Sequence, residues 1–381
     1  METPLGIMQA HYKQRDLAAR EWKRKGGQVV GYFCDTVPVE LIIAAGFFPL
    51  WITGDRSGST EIIDEYLEPV YEGFVRSAAN VLLTGHYDFV DYLVISRSRD
   101  SIAQLYSHLS QIKALNPSVK LPELYPFDLN NNRSYTSQFY NRDRVRDLAN
   151  QLQEWSGGRM SDASLTRAIA TTNESRKLLS QVAALRAAAP PRLSGVEALQ
   201  IIGSSMFMVR EEHNRLLREF LAGADQLPLR SGARLFVEAS PLDNVQFYEL
   251  LESCGATVVA DDHCWGNRYG EDLIETSGDP IESIAYRYQY KAPGPEIVFP
   301  PGLRADYCVR KTIEAKAEAV VFYVYEWDTL QAWDYPEQDS ALKTRGIPSR
   351  SFLAQKYVIS DPEALKADLK SWIAALERKS T

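Results

Sequence analysis

The sequence predicts an α/β protein: two doubly wound parallel-sheet domains, Rossmann-like or flavodoxin-like, facing a cleft, with a helical section between them. Three observations carry this. Short apolar runs alternate with helical patterns over residues 1–136, the apolar spacing turns helical over 137–228, and the strand–helix rhythm returns over 229–381. These ranges are the expected N-terminal α/β domain, helical section and C-terminal α/β domain. A chain of 381 residues also exceeds one comfortable hydrophobic core.

The elements follow in order. A charged segment from about Gln14 to Arg24 reads as an amphipathic helix ended by Gly26 and Gly27. "QVVGYF" is a buried strand, "PVELIIAAG" a helix opened by Pro38 and stopped at Gly46, and "FFPLWIT" a second strand. "YLVIS" (Tyr92 to Ser96) is a third strand, followed by a helix from Asp100 to His108, and "LPELYPF" is a Pro-punctuated fourth. Helical periodicity from about Ser137 to Leu221 is broken by Pro190 and Pro191. Then come "RLFVEAS", a helix from Asn244 to Ser253 closed by Gly255, "TVVADD", a long Pro- and Tyr-rich loop, and a helix around Ala305 to Ala317. "AVVFYVY", "GIPSRSFL" and a helix from Pro362 to Arg378 complete the chain.

Composition narrows the function. Hydrophobic residues at 45% and charged residues at 24% describe an ordinary globular protein. A net charge of −8 argues against a broad nucleic-acid footprint. The charged N-terminus lacks the apolar core of a secretory signal, and no run is long and apolar enough to span a membrane. Four scattered cysteines suit a reducing cytoplasm, the expected location.

Open α/β sheets bind ligands beyond the C-terminal ends of their strands. Those ends gather Cys34, Arg97, Arg99, the Asp261–Tyr269 loop and the Tyr325–Asp328 loop, and Cys34 and Arg99 are mirrored at nearly equal spacing by Cys264 and Trp327. Walker, dinucleotide, zinc-protease, Cys-x-x-Cys and nucleophile-elbow patterns are all absent. Cys34, before a helix N-terminus, is placed for a stabilised thiolate; the plainer alternative is a small core residue. Cys264 stands beside His263, Arg268 and Tyr269, or merely packs under a Trp in a turn-rich loop, while Cys254 and Cys308 read as core filling. His263 is either a proton relay or a hydrogen-bonded loop residue. The acids of "YEWDTLQAWDYPEQD" offer a general acid or a cofactor contact, against the commoner solvated loop.

"GYFCDTVPVELIIAAGFFPL" resembles the opening signature of the 2-hydroxyacyl-CoA dehydratase and benzoyl-CoA reductase family, with Tyr-x-Cys, Pro-x-Glu-Leu and Ala-Gly. "DYLVISRSRDS", "TVVADDHCWGNRYGED", "AVVFYVYEWDT" and "GIPSRSFL" extend the likeness through most of the chain, and "WDYPEQ…GIPS" is similar to the smaller subunit of ATP-dependent benzoyl-CoA reductases. The resemblance implies three strand-exit cysteines holding a 4Fe–4S cluster that passes single electrons to a CoA thioester. Here Cys34 matches the first ligand, Arg99 stands at the second and Trp327 at the third, with Cys264 in a loop where many members also carry a cysteine.

Two thiolates do not close an ordinary cluster site within one chain. Either this subunit forms half of a substrate cleft with a cluster-bearing paralogue, or Cys34 and Cys264 ligate a cluster shared across an interface. By resemblance, Arg97, Arg99, Arg268 and Trp327 contact the acyl-CoA, and His263, Tyr269 and Tyr325 deliver protons. The implied partners are the paralogous subunit, an ATP-hydrolysing activator and reduced ferredoxin, in anaerobic breakdown of aromatic compounds. The implied function is a benzoyl-CoA reductase-type subunit using single-electron ketyl chemistry. The alternatives are a 2-hydroxyacyl-CoA dehydratase subunit and a clusterless structural partner.

Overall fold

The computed structural model describes residues 3–55, 57–297 and 299–380. Helices α1 (Pro4–Lys13) and α2 (Leu17–Arg24) lead into β1 (Val29–Tyr32), α3 (Val39–Ala44), β2 (Phe48–Trp51), α4 (Gly73–Leu83), β3 (Tyr92–Ser96), α5 (Asp100–Leu115) and β4 (Glu123–Phe127). All four strands are parallel, in the order β2-β1-β3-β4. β1 and β2 are buried throughout, as strands covered on both faces must be, which is why they read as unbroken apolar runs.

The helical section comprises α6 (Tyr135–Trp155), α7 (Asp162–Ala187), α8 (Gly195–Ser204) and α9 (Arg210–Ala222). The second half then gives β5 (Ala233–Ala239), α10 (Gln246–Ser253), β6 (Ala256–Asp262), α11 (Pro280–Tyr290), α12 (Leu303–Glu314), β7 (Ala319–Tyr325), α13 (Thr329–Thr344), β8 (Ser349–Gln355) and α14 (Pro362–Ser380). Its sheet is again parallel, in the matching order β6-β5-β7-β8. The expected α/β class with two parallel sheets is what the structure has. Among the described residues, no helix is long and apolar enough to cross a membrane.

The strand tips of the two sheets meet in a continuous apolar core rather than across open space. Trp51 at the end of β2 packs on Trp265 beyond β6, with ring centroids 5.2 Å apart, and Phe74 lies 6.4 Å from Tyr325. Helix α7 lies against both α3 and β6, so the helical section supports both halves.

Several elements differ from expectation. The opening segment is two helices, because Thr3 accepts from the Gly6 amide and starts a helix at Pro4. α5 runs on to Leu115 with Leu109 and Ile112 buried. The Pro- and Tyr-rich loop contains α11, opened by Pro280 and capped by Asp279, which accepts from Ile281 N at 2.7 Å. The acid-rich stretch after β7 is α13, capped by Asp328, which accepts from Gln331 N at 3.2 Å, and it tolerates Pro336 inside. α4 is a further helix, with Val75, Ala78, Ala79 and Leu82 on its buried side.

Candidate functional site

Strand order reverses between β1 and β3 in the first sheet and between β5 and β7 in the second. Cys34 and Arg99 follow the first pair of strands; Ser240 and the Trp327–Asp328 turn follow the second. These switch points are joined. Arg99 Nη1 donates to Asp328 Oδ1 at 2.6 Å and to Glu72 Oε1 at 3.4 Å, while Ser240 Oγ donates to Asp328 Oδ2 at 2.6 Å. Arg99 is 9% exposed and Asp328 1%. Burial works against the guanidinium, but Asp328 and Glu72 outweigh it and hold its pKa above the usual value.

This topology corrects the mirror read from sequence spacing. Cys34 leaves a central strand, whereas Cys264 leaves the edge strand β6, whose equivalent is β2. Ser240 N donates to the Tyr323 carbonyl as Phe33 N does to that of Val94, so the counterpart of Cys34 is Pro241, one residue past Ser240. The matched spacings reflect segment lengths and not equivalent places in the two sheets.

Cys34 occupies a left-handed turn, φ 64°, and is 6% exposed. Burial pushes its thiol up to about 12, more than the hydrogen bond with Ser98 and the charge of Arg99 pull it down. The expected thiolate is thus a neutral thiol here. α3 spans only 6 residues and begins at Val39, so it offers little partial charge to set against burial. Cys264, 5% exposed, is likewise pushed well up by burial, with Asp35 and Cys34 adding to it. Cys308 is buried and Cys254 half-buried.

His263 is 1% exposed; its Nε2 meets the Tyr248 hydroxyl at 2.8 Å, and its Nδ1 accepts from the Trp265 amide at 3.2 Å. Nε2 therefore carries the proton, Tyr248 passes its own hydrogen to Asp261 at 2.7 Å, and burial lowers the imidazole to about 4. Arg268 Nη1 donates to Asp262 at 2.9 Å, its Nε lies 4.0 Å from Asp35, and Asp35 accepts from Lys291 at 2.7 Å. Tyr269 accepts from Arg210 at 3.0 Å. Tyr325, 2% exposed, stands in the core among Tyr323 and Tyr357, and burial raises its hydroxyl well above its usual range.

The outer face differs. Trp327, φ 67° and 48% exposed, lines an open cavity of about 340 Å³ with Arg76, Lys356 and Tyr71. The Arg97 side chain is 66% exposed, 3.9 Å from Asp128. Of the residues singled out in the sequence, Cys34, Arg99, Cys264 and Arg268 thus share one buried electrostatic neighbourhood. Arg97 and Trp327 stand outside it, and Tyr325 is a core residue. Sequence reasoning missed Asp328 and Glu72 as partners of Arg99, and Lys291 as partner of Asp35. Asp328 had a local signal, an acid three residues before Gln331 at a helix start. The other two have none.

Residues 34–366 match the family model described as 2-hydroxyglutaryl-CoA dehydratase, D-component. The chain belongs to this family. Across 298 residues it is 27% identical to one of the subunits of benzoyl-CoA reductase from Thauera aromatica, covering 74% of each chain. The (R)-phenyllactyl-CoA dehydratase beta subunit of Clostridium sporogenes is 21% identical over 86% of this chain and 87% of its own. The beta subunit of (R)-2-hydroxyglutaryl-CoA dehydratase from Acidaminococcus fermentans is 19% identical with the same coverage. These relatives are enzyme subunits, so the family role of this chain is that of an enzyme subunit working beside a partner.

An iron–sulfur cluster does not fit the residues present. Among the described residues, no group of three or more His, Cys, Asp and Glu side chains is arranged to hold a metal ion. Arg99 is committed to Asp328 and Trp327 turns outward, so neither adds a ligand to Cys34 and Cys264.

Proposed function

We propose that this chain is a non-cluster subunit of a heteromeric enzyme acting on aromatic acyl-CoA, of the benzoyl-CoA reductase type, with the electron-carrying centre on a paralogous subunit. The observation that carries this is the Arg99–Asp328 ion pair closing the strand tips, within a family whose members are subunits of acyl-CoA enzymes. ATP-hydrolysing activator and ferredoxin belong to the same reading, through the partner.

The chain's own part is to shape the substrate site. An open cavity of about 340 Å³ is within the range of small-molecule pockets. Trp327 offers a flat apolar face to an aryl ring and Lys356 a cation for a phosphate group, while Arg76 in the same cavity is paired with Asp64 and the exposed Arg97, outside the cavity lining, is a further cation. Arg99 and Arg268 act as positioning residues, since both are buried and paired. His263, neutral and bonded on both nitrogens, holds the Asp261–Tyr269 loop in shape. Negative charge developing on a thioester oxygen is stabilised by fixed donors in a water-poor site, which a partner surface closing over this cavity would create.

A second reading, a 2-hydroxyacyl-CoA dehydratase subunit, is favoured by the family description and by two dehydratase beta subunits among the relatives. Anaerobic co-expression with a paralogous subunit and activator, followed by turnover of benzoyl-CoA and of phenyllactyl-CoA, separates the two. A cyclic dienoyl-CoA product supports the first reading and an enoyl-CoA the second. Turnover unchanged when this chain is omitted overturns both.

A further inference from the structure

A narrow cavity of about 20 Å³ lies behind the strand tips, between the end of β1, helices α7, α9 and α11, and the turn Asn267–Gly270. Five cations line it, Arg176, Arg210, Arg268, Arg287 and Lys291, with Asp35. Three carboxylates answer three of them: Glu40 accepts from Arg176, Asp262 from Arg268 at 2.9 Å, and Asp35 from Lys291 at 2.7 Å. Arg210 and Arg287, 4% and 6% exposed, make no direct ion pair, although Glu40 acts on both at longer range and Asp272 on Arg287. Arg210 donates to the Tyr269 hydroxyl at 3.0 Å, and Arg287 donates to the carbonyls of Glu271 and Asp272 at 2.8 and 3.1 Å.

Buried charges without counter-charge are strongly disfavoured. The wall's unpartnered polar atoms point the same way: Arg210 Nε, Arg268 Nε and the hydroxyl of Tyr32, itself 1% exposed, have no hydrogen-bond partner. Two of the three can only donate and the third is able to. A water would meet those donors but leave Arg210 and Arg287 sharing Glu40 with Arg176, whereas an anion meets the donors and adds a direct counter-charge. Size selects among anions, because a void of about 10–15 Å³ is needed for one water, and this one has no room for a phosphate ester.

We propose that this cavity binds a halide-sized monoanion, chloride being the common one, held by Arg210, Arg287 and the Tyr32 hydroxyl. The ion would pin the helical section to the end of β1 and to the turn after β6. The full chain is to be melted in sodium chloride and in sodium gluconate at matched ionic strength. Chloride should raise the midpoint by about 2–4 °C. Tyr32→Phe, which keeps the ring, should weaken the apparent chloride affinity about tenfold, and Arg287→Leu should abolish the chloride dependence. Crystals soaked in bromide should show an anomalous peak within hydrogen-bond reach of Tyr32 Oη. Equal wild-type midpoints in the two salts, or no bromide at this wall, would overturn the assignment in favour of water.

Discussion

The seam at the strand tips and the face around Trp327 are one residue apart in sequence and opposite in character. Asp328 is 1% exposed and neutralises Arg99 across the two halves, while Trp327 is 48% exposed beside an open cavity. The turn after β7 thus presents one side chain to the interior and one to the outside. The strand exits of the two halves are thus tied together at a joint, and open space lies on the neighbouring surface.

The largest effect should test the closed side. At pH 8 iodoacetamide should alkylate Cys34 roughly 10³-fold more slowly in the folded chain than in urea, because a thiol held near 12 supplies little thiolate, and Cys264, also raised by burial, should be slowed as well. Half-buried Cys254 should react first, and peptide mass spectrometry reads the order. Rapid labelling of Cys34 would make the seam an accessible pocket after all.

Arg99→Met should cost about 3–5 kcal/mol, since it leaves Asp328 and Glu72 buried without their cation. The urea midpoint measures it. A loss under about 1 kcal/mol would mean that the joint contributes little and the two halves are held by apolar packing alone.

The third test lies away from the seam, in the helical wall. His213 on α9 is fully buried, donates from Nε2 to the Ile201 carbonyl at 3.1 Å, and is lowered by burial to about 3. Its unfolded form titrates near 6.5, so below that pH unfolding takes up a proton that the native state refuses. This stability is fully present above pH 6.5 and is lost as pH falls toward 3, by at most about 1.4 kcal/mol per pH unit. His213→Gln should flatten the profile of midpoint against pH between about 6.5 and 4.5, and an unchanged slope would assign the acid sensitivity to other groups.

The smallest effect on stability belongs to the open side. Trp327→Ala should shift the urea midpoint by less than about 0.5 kcal/mol, as for an exposed site, yet raise KM for an aromatic acyl-CoA in the assembled complex. Equal KM values would remove Trp327 from the substrate surface and move the contrast elsewhere.

The strands were legible in the sequence: those covered on both faces leave compact apolar runs such as "QVVGYF" and "AVVFYVY", and the partly exposed edge strands β4 and β8 stand out as short segments beside proline. Helices α11 and α13 were obscured for a local reason: proline and aromatic density in one, and acids around Pro336 in the other, look like loop. Their caps, Asp279 before Pro280 and Asp328 before Gln331, were nonetheless visible signals. At the site, the placement of Cys34, Arg99, Arg268 and Trp327 beyond strand ends could be read, but their environment could not. Arg99 and Asp328 are 229 positions apart, and neither composition nor periodicity specifies a pair that only the folded chain brings within 2.6 Å. The neutral state of Cys34 is a property of packing and equally beyond the reach of spacing.

Cys34 and Trp327 share a backbone habit, with φ of 64° and 67°, that ordinary side chains adopt at a cost of about 1 kcal/mol. Each turn lies between the end of a buried parallel strand and the start of the following helix. Glycine should therefore relax the backbone at both turns, while a reporter group is installed only at the exposed one, Trp327, where a single exchange leaves the strand that carries it intact.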